Sequence, residues 1–439
     1  MKPDIKRLYF FHFFLSISLT AVSSFLFIDQ LFLRMGLSMS QFGIIKGLAF
    51  LVPVSLNLLL APYLARLGRD REIVAICYLM RVSVPFLFLL LPWLWEDTAL
   101  LTAGSTVVFL TTMLFPMMGR NSVSGLIRFH IPQADLGRHM GNILSLWLVP
   151  AFFLAIPCSW YIDRHSGGDD GEFYVAFLHV LLVTTVFVLV AGWFMLKISP
   201  ITPADSRRPR PGFRDIREPF QNRAYRVYLH ASFMLSLVSS MIISFINPYL
   251  LNAQGLSMFE VSLIGVSVAI LGVGLRRVWG SMCDRYGGKN VLRLSVVGVA
   301  LGLFILTGEG IVAVLIFAAL AWNTNEGVFG IGLVAGQQYL NLSLSDEKKT
   351  NVYVAATSFV NGTGMFLGSI VGGFLLDWIA DKMNPEAPYA YYAIYFTYCA
   401  LAYLVVGHFI TALRERRRTV PSSELALQMY RSVRFRMRR

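Results

Sequence analysis

Trp322, Asn323, Asn325 and Glu326 sit inside an otherwise apolar run at residues 311–338. If that run is one helix crossing a bilayer, these side chains lie about 15 to 22 Å from one end, at 1.5 Å per residue. A carboxylate at that depth costs several kcal/mol unless it is paired or wetted, so each such group is a candidate for function. Asn323 and Glu326 are three apart and Trp322 is four before Glu326, which places them on one face of a continuous helix. A carboxylate beside an amide and an indole can hold a polar solute, and it can exchange a proton with water whenever its path opens. A second reading stands beside this one: Glu326 serves as the structural partner of an arginine, Arg120 or Arg277.

Other polar groups fall in similar runs. Arg120 and Asn121 end the run at 98–119 and suit an anionic group, a pair with Glu326, or a simple anchor at the membrane surface. Asn247 precedes Pro248 in the run at 227–251. Ser16, Ser18, Thr20, Ser23 and Ser24 are expected to bond their own helix backbone. Arg81, near the middle of its run, is expected in a structural ion pair; Asp29 and Lys46 suit a pair near one membrane face; Asp163 and Asp377 are expected to be solvated. His12, His179 and His408 stand alone and read as packed or interfacial.

The elements that must carry these residues are set by composition. Of 439 residues, 56% are apolar and 14% charged, with a mean hydropathy of +0.61. Soluble domains carry charge on about a quarter of their residues, so this chain is read as embedded in a membrane along its length. Lipid offers no partner to free backbone groups, and about 20 apolar residues are needed per crossing helix. Twelve runs meet that demand: 8–33, 40–64, 73–95, 98–119, 140–162, 172–197, 227–251, 258–282, 290–308, 311–338, 351–378 and 389–412.

The net charge of +13 is distributed as a topology signal, not as a nucleic-acid footprint. Of 38 Lys and Arg, 32 fall on one side of the membrane in the twelve-span arrangement, which predicts that side, with both termini, to be cytoplasmic. The four cysteines, Cys77, Cys158, Cys283 and Cys399, lie singly in apolar runs and read as packing residues, with no metal set and no cofactor.

Gly36-Leu37-Ser38-Met39 recurs as Gly255-Leu256-Ser257-Met258, and the same shift of 219 residues carries Arg66 and Gly68 onto Arg285 and Gly287. Two matches at one offset, at equivalent places in the topology, indicate duplication of a six-helix unit. The chain then divides into a first bundle at 1–197, a linker at 198–226, a second bundle at 227–412 and a basic tail at 413–439. Five prolines and seven arginines in 198–226 deny the linker a continuous helix and a place in the bilayer, apart from a short surface helix near Phe213 to Phe220.

After the eighth span stand Gly280, Asp284, Arg285, Gly287, Gly288 and Lys289, in the order G-x-x-x-D-R-x-G-G-K. Glycines there allow close helix approach and a tight turn, and an Asp among basic residues can hold helix ends. The motif resembles the signature loop of the major facilitator superfamily, which carries it after spans two and eight. The resemblance covers the whole chain: twelve spans, duplicated halves and a basic central linker. In the first half Arg66 and Gly68 remain, while Ala61 and Ala65 replace the leading Gly and the Asp.

The resemblance implies an all-α fold of two pseudo-symmetric six-helix bundles, with spans one, four, seven and ten lining a central path. It implies a latch role for Asp284 and Arg285. No G-x-x-x-x-G-K-[ST] fingerprint is present, so a gradient must drive any transport. The expectation is a monomeric secondary transporter, not an enzyme, with a small organic solute, protons and membrane lipids as partners. Proton-coupled uptake leads; drug or lipid efflux, or a non-transporting sensor, are the alternatives.

Overall fold

A computed structural model describes residues 3–23, 26–67, 69–94, 98–131, 143, 154, 156–165, 170–200, 217–322, 326–345, 350–383 and 388–413. Among these residues the regular structure is helical, with no strand. In chain order the helices are α1 (Pro3–Ser23), α2 (Leu26–Arg34), α3 (Met39–Leu67), α4 (Asp70–Ser83), α5 (Leu87–Leu94), α6 (Thr98–His130) and α7 (Asp170–Leu196). They continue as α8 (Glu218–Gln221), α9 (Arg223–Pro248), α10 (Met258–Tyr286), α11 (Gly288–Leu306), α12 (Ile311–Ala321), α13 (Gly327–Leu344), α14 (Thr350–Lys382) and α15 (Pro388–Ile410).

Nine helical stretches among the described residues are long and apolar enough to cross a membrane, and they match spans two to four, six to nine, eleven and twelve. Span one is carried by α1 and α2 and span ten by α12 and α13, while most of span five lies outside the described residues. The outward faces are as apolar as the inward ones, with Leu59, Ile76, Val107, Val186, Val312 and Val405 more than half exposed. Helices that are apolar all round require lipid on one side and protein on the other. The short helix expected near Phe213 to Phe220 is represented by α8; residues 211–216 lie outside the described set.

The duplication is visible in the backbone. α3 and α10 each span 29 residues, and their starts, Met39 and Met258, and their ends, Leu67 and Tyr286, differ by the same 219 positions. Ahead of them Gly36 and Gly255 have φ of +69° and +66°, a region that costs a side chain strain. A Cβ at either would meet nothing within 4 Å, so the dihedral and not crowding calls for glycine.

Contacts gather the chain into two compact units: Met1–Ser38, Leu48–Arg210 and Leu256–Val266 form the first, and Met39–Gly47, Pro211–Gly255 and Ser267–Arg439 the second. In the first unit Leu8, Phe11, Leu15, Val74, Tyr78, Val82, Leu126 and Met195 pack α1, α4, α6 and α7 together. The basic end of α7 is held by polar groups. Arg71 donates to the carbonyls of Leu196 and Ile198, Arg7 donates to that of Lys197, and Asp4 accepts from the Ser199 amide.

In the second unit α9 lies along α14, and glycine makes the approach possible. A Cβ on Gly368 would stand 2.0 Å from the Leu237 carbonyl oxygen, and one on Gly364 would stand 2.7 Å from that of Phe233. Small residues allow helix backbones to approach in lipid, where no hydrophobic gain drives association. After Pro248 the chain makes a π-helical turn at Tyr249–Ala253, which the apolar pattern of span seven did not announce.

Asp163 and Asp377 are not simply solvated. In the first unit Asp163 accepts from the amides of Met258 (3.1 Å) and Phe259 (2.6 Å), at the start of α10. In the second unit Asp377 accepts from those of Met39 (3.1 Å) and Ser40 (2.8 Å), at the start of α3. The first turn of a helix leaves four amides unsatisfied, and a carboxylate satisfies two of them while facing the positive end of the dipole.

Candidate functional site

Span ten is interrupted at its polar cluster. α12 stops at Ala321 because Trp322 adopts an extended conformation (φ −50°, ψ 126°), and α13 restarts at Gly327 with φ +77°. A Cβ on Gly327 would stand 2.8 Å from the Ala318 oxygen and the Ala321 nitrogen, so both space and dihedral demand glycine. The expected placing of Trp322 and Glu326 on one face of a continuous helix is therefore incorrect. Trp322 closes one helix, Glu326 is the N-cap of the next, and Asn323 lies outside the described residues. One bond bridges the interruption, from the Glu326 amide to the Trp322 carbonyl at 2.9 Å.

Helix interruptions at membrane depth occur where the freed backbone is buried in protein or lines a cavity, and the end of a half-helix can then face a polar ligand or ion. Here the interruption is braced by one face of α10. Arg276 acts on the Glu326 carboxylate through space, and Trp279, three residues on, donates from Nε1 to the Val328 carbonyl at 2.6 Å. Trp279 is fully buried. Around it Met282, Cys283, Val291 and Ile331 form an apolar cluster, and Gly332 leaves room for the indole, since a Cβ there would stand 2.8 Å from the ring.

Among the described side chains, the arginine whose charge reaches Glu326 is Arg276. The side chains of Arg277, Arg120 and Asn121 are outside the described set. An Arg and a Trp three apart on a neighbouring span were the sequence signal for this brace. Trp322 is buried at 4% exposure, and Asn247 is half-buried on α9, ahead of the π-helical turn.

The loop motif divides into separate roles. Gly287, with φ +85°, turns the chain into α11. Gly288 is required by space, since a Cβ would come within 2.7 Å of the Tyr339 ring. Gly280 is not, because among the described residues a Cβ there meets nothing within 4 Å. Lys289 donates to the carbonyls of Thr411 (2.6 Å) and Leu413 (2.7 Å), capping the end of α15 as Arg71 caps the end of α7. Arg285 is exposed; the Asp284 and Arg66 side chains and all of Gly68 lie outside the described residues.

Other expectations resolve locally. Arg81 is buried on the inner face of α4 with Val74, Cys77, Tyr78 and Val82, and the ion pair expected for it does not occur among the described residues. Ser16 bonds the Phe13 carbonyl of its own helix, as expected. His179 accepts from or donates to the Tyr161 hydroxyl at 2.6 Å. All four cysteines are buried thiols outside any disulfide. The described residues contain no cluster able to hold a metal.

The chain matches the Major Facilitator Superfamily over residues 8–373 and, in a second alignment, 228–435. Among solved structures, the nucleoside transporter NupG superposes with a TM-score of 0.67 at 16% identity, over 95% of this chain and 100% of that one. An inward-facing, occupied bacterial homolog of the human lysosomal transporter Spinster gives 0.65 at 13%, over 94% and 97%. A POT family transporter in complex with 5-aminolevulinic acid gives 0.62 at 11%, over 94% and 96%. At these identities the likeness shows the fold alone.

A Serratia proteamaculans (strain 568) protein, MdtD, which carries a provisional multidrug-resistance name, is 25% identical over 193 residues. That match covers 42% of this chain and 39% of the relative. With a family match along most of its length and an all-helical, multi-pass architecture to go with it, the chain belongs to the Major Facilitator Superfamily.

Proposed function

We propose that this protein is a secondary active transporter that takes up a small polar organic solute by alternating access, driven by protons, with Glu326 as the proton-linked group. The observation that carries this reading is the interruption of span ten, which sets a partly buried carboxylate at the start of a half-helix with Arg276 acting on it. A partly buried carboxylate with an arginine nearby can hold either its charge or a proton, and a change in water access changes which is preferred. Trp322, Asn323, Asn247, Arg120 and Asn121 are the candidate solute contacts. In this reading the basic side, both termini and the 198–226 linker face the cytoplasm of the cell membrane.

The test begins with a thermal-shift screen of the purified protein against a metabolite library, since a ligand that binds the folded state raises its apparent stability. Uptake of the hit is then measured in proteoliposomes with and without a pH gradient. Glu326→Gln should abolish gradient-driven accumulation and retain solute exchange. Normal accumulation by Glu326→Gln would sink the coupling role. If Glu326→Gln fails to fold because Arg276 is left uncompensated, the Glu326→Gln/Arg276→Gln double variant removes both charges and is read in the same assay. The fragmentary likeness to MdtD supports a second reading, efflux of apolar drugs, which the screen would reveal as stabilisation by such compounds in place of polar metabolites.

A further inference from the structure

We infer that Asp163 and Asp377 are a matched pair of releasable latches: each carboxylate holds the first turn of a helix from the other sequence half, and both must let go when the solute path changes sides. This rests on the two-bundle rocking reading given above.

The two caps are equivalent in detail. In each, one carboxylate oxygen accepts from the first amide of a 29-residue helix at 3.1 Å, and the other accepts from the second amide, at 2.6 Å for Asp163 and 2.8 Å for Asp377. The capped residues, Met258 with Phe259 and Met39 with Ser40, are related by the 219-residue repeat. The surroundings are built for close approach as well. One turn before Asp163, the Ser159 hydroxyl lies 2.5 Å from that of Ser262, one turn into α10. One turn before Asp377, a Cβ on Gly373 would stand 2.4 Å from the Met39 carbonyl oxygen, and a Cβ on Gly43 would stand 2.4 Å from that of Ser369.

What distinguishes these caps from the others is the origin of their partners. Lys289 caps α15 and Arg71 caps α7, in each case within one sequence half, and such a bond persists while a bundle moves as a body. Asp163 belongs to span five and caps span eight; Asp377 belongs to span eleven and caps span two. The starts of those two helices, Leu256–Val266 and Met39–Gly47, pack with the unit that holds their capping carboxylate and not with the remainder of their own helix. Rocking of the sequence halves separates each Asp from its amides, whereas it leaves Lys289 and Arg71 in place. The released amides and carboxylates can bond water at the membrane surface, so the bonds can be broken repeatedly.

Spin-label distance measurements on the full chain in nanodiscs test this without solute or gradient, so the result is independent of the role of Glu326. The native cysteines are buried, and labels are placed at Gln41 with Asp381 and at Arg164 with Leu263. Asp377→Ala should move the first pair, and Asp163→Ala the second, toward a longer-distance population, by on the order of five-fold in population ratio per cap. The double variant should shift both pairs further than either single one. Lys289→Met and Arg71→Met should leave both distance distributions unchanged. If the double variant lowers thermal stability yet leaves both distributions as they were, the carboxylates are local helix caps and the inference is overturned. Should the double Ala variant not fold, Asp163→Asn/Asp377→Asn keeps the side-chain size while removing the charge; a longer-distance population supports the latch, and unchanged distributions overturn it.

Discussion

The Lys289 ammonium donates to the Thr411 carbonyl at 2.6 Å, tying the last residue of the G-x-x-x-D-R-x-G-G-K motif to the end of span twelve. A cation at a helix C-terminus satisfies carbonyls that lack intrahelical partners and faces the negative end of the dipole. Lys289→Met should cost about 1 kcal/mol, and Arg71→Met a similar amount through loss of its bonds to Leu196 and Ile198. Thermal unfolding in detergent checks this; an unchanged midpoint for both variants would remove the capping role.

Asp4, ahead of the first apolar run, should make the anchoring of α7 depend on pH. Burial works to raise its pKa, but bonds from Ser199 and Arg7 and the charge of His130 outweigh it, so the carboxyl titrates below its ordinary value. A depressed carboxylate contributes stability that is fully present above its unfolded pKa and is lost as pH falls through the folded one. Wild-type protein should therefore lose stability faster than Asp4→Asn on acidification below the ordinary Asp range, and the two melting curves should converge at low pH. Parallel curves across that range would refute the assignment.

Glycine substitutions should separate the two kinds of glycine in the second half. Gly280→Ala meets open space in a helix and should be neutral or stabilising by up to about 1 kcal/mol. Gly327→Ala demands a positive φ and a contact at 2.8 Å with backbone, so it should cost about 1 to 3 kcal/mol and disturb the interruption of span ten. Expression yield and melting temperature report both. Equal effects at the two positions would contradict the geometry.

Trp279→Phe should keep most of the apolar packing around the interruption while removing the bond to the Val328 carbonyl, at a cost of about 1 kcal/mol. Trp279→Ala should cost about 3 to 5 kcal/mol, because the ring is fully buried. A Phe variant as unstable as the Ala variant would show that the bond, not the ring, braces α13.

The all-helical fold, the spans and the 219-residue repeat were legible without coordinates because each rests on local physics. Apolar length answers the need to satisfy backbone groups in lipid, and Gly36 and Gly255 mark turns whose dihedrals only glycine adopts cheaply. Polar residues within an apolar run singled out Glu326 and Trp322 as candidates from composition alone. Their relationship was not legible there, since it depends on a break after Ala321 that no apolar pattern encodes; three residues apart means one face only while the helix continues. Ser257 and Glu260 form a capping box at the start of α10, a pairing between residues three apart. Tertiary structure decided the rest: that Arg276 comes near Glu326, that Lys289 holds Thr411, and that Asp163 and Asp377 satisfy amides 95 and 338 residues away. Such pairings join groups whose local sequences carry no trace of one another, because what brings a carboxylate to a distant helix start is the packing of whole spans.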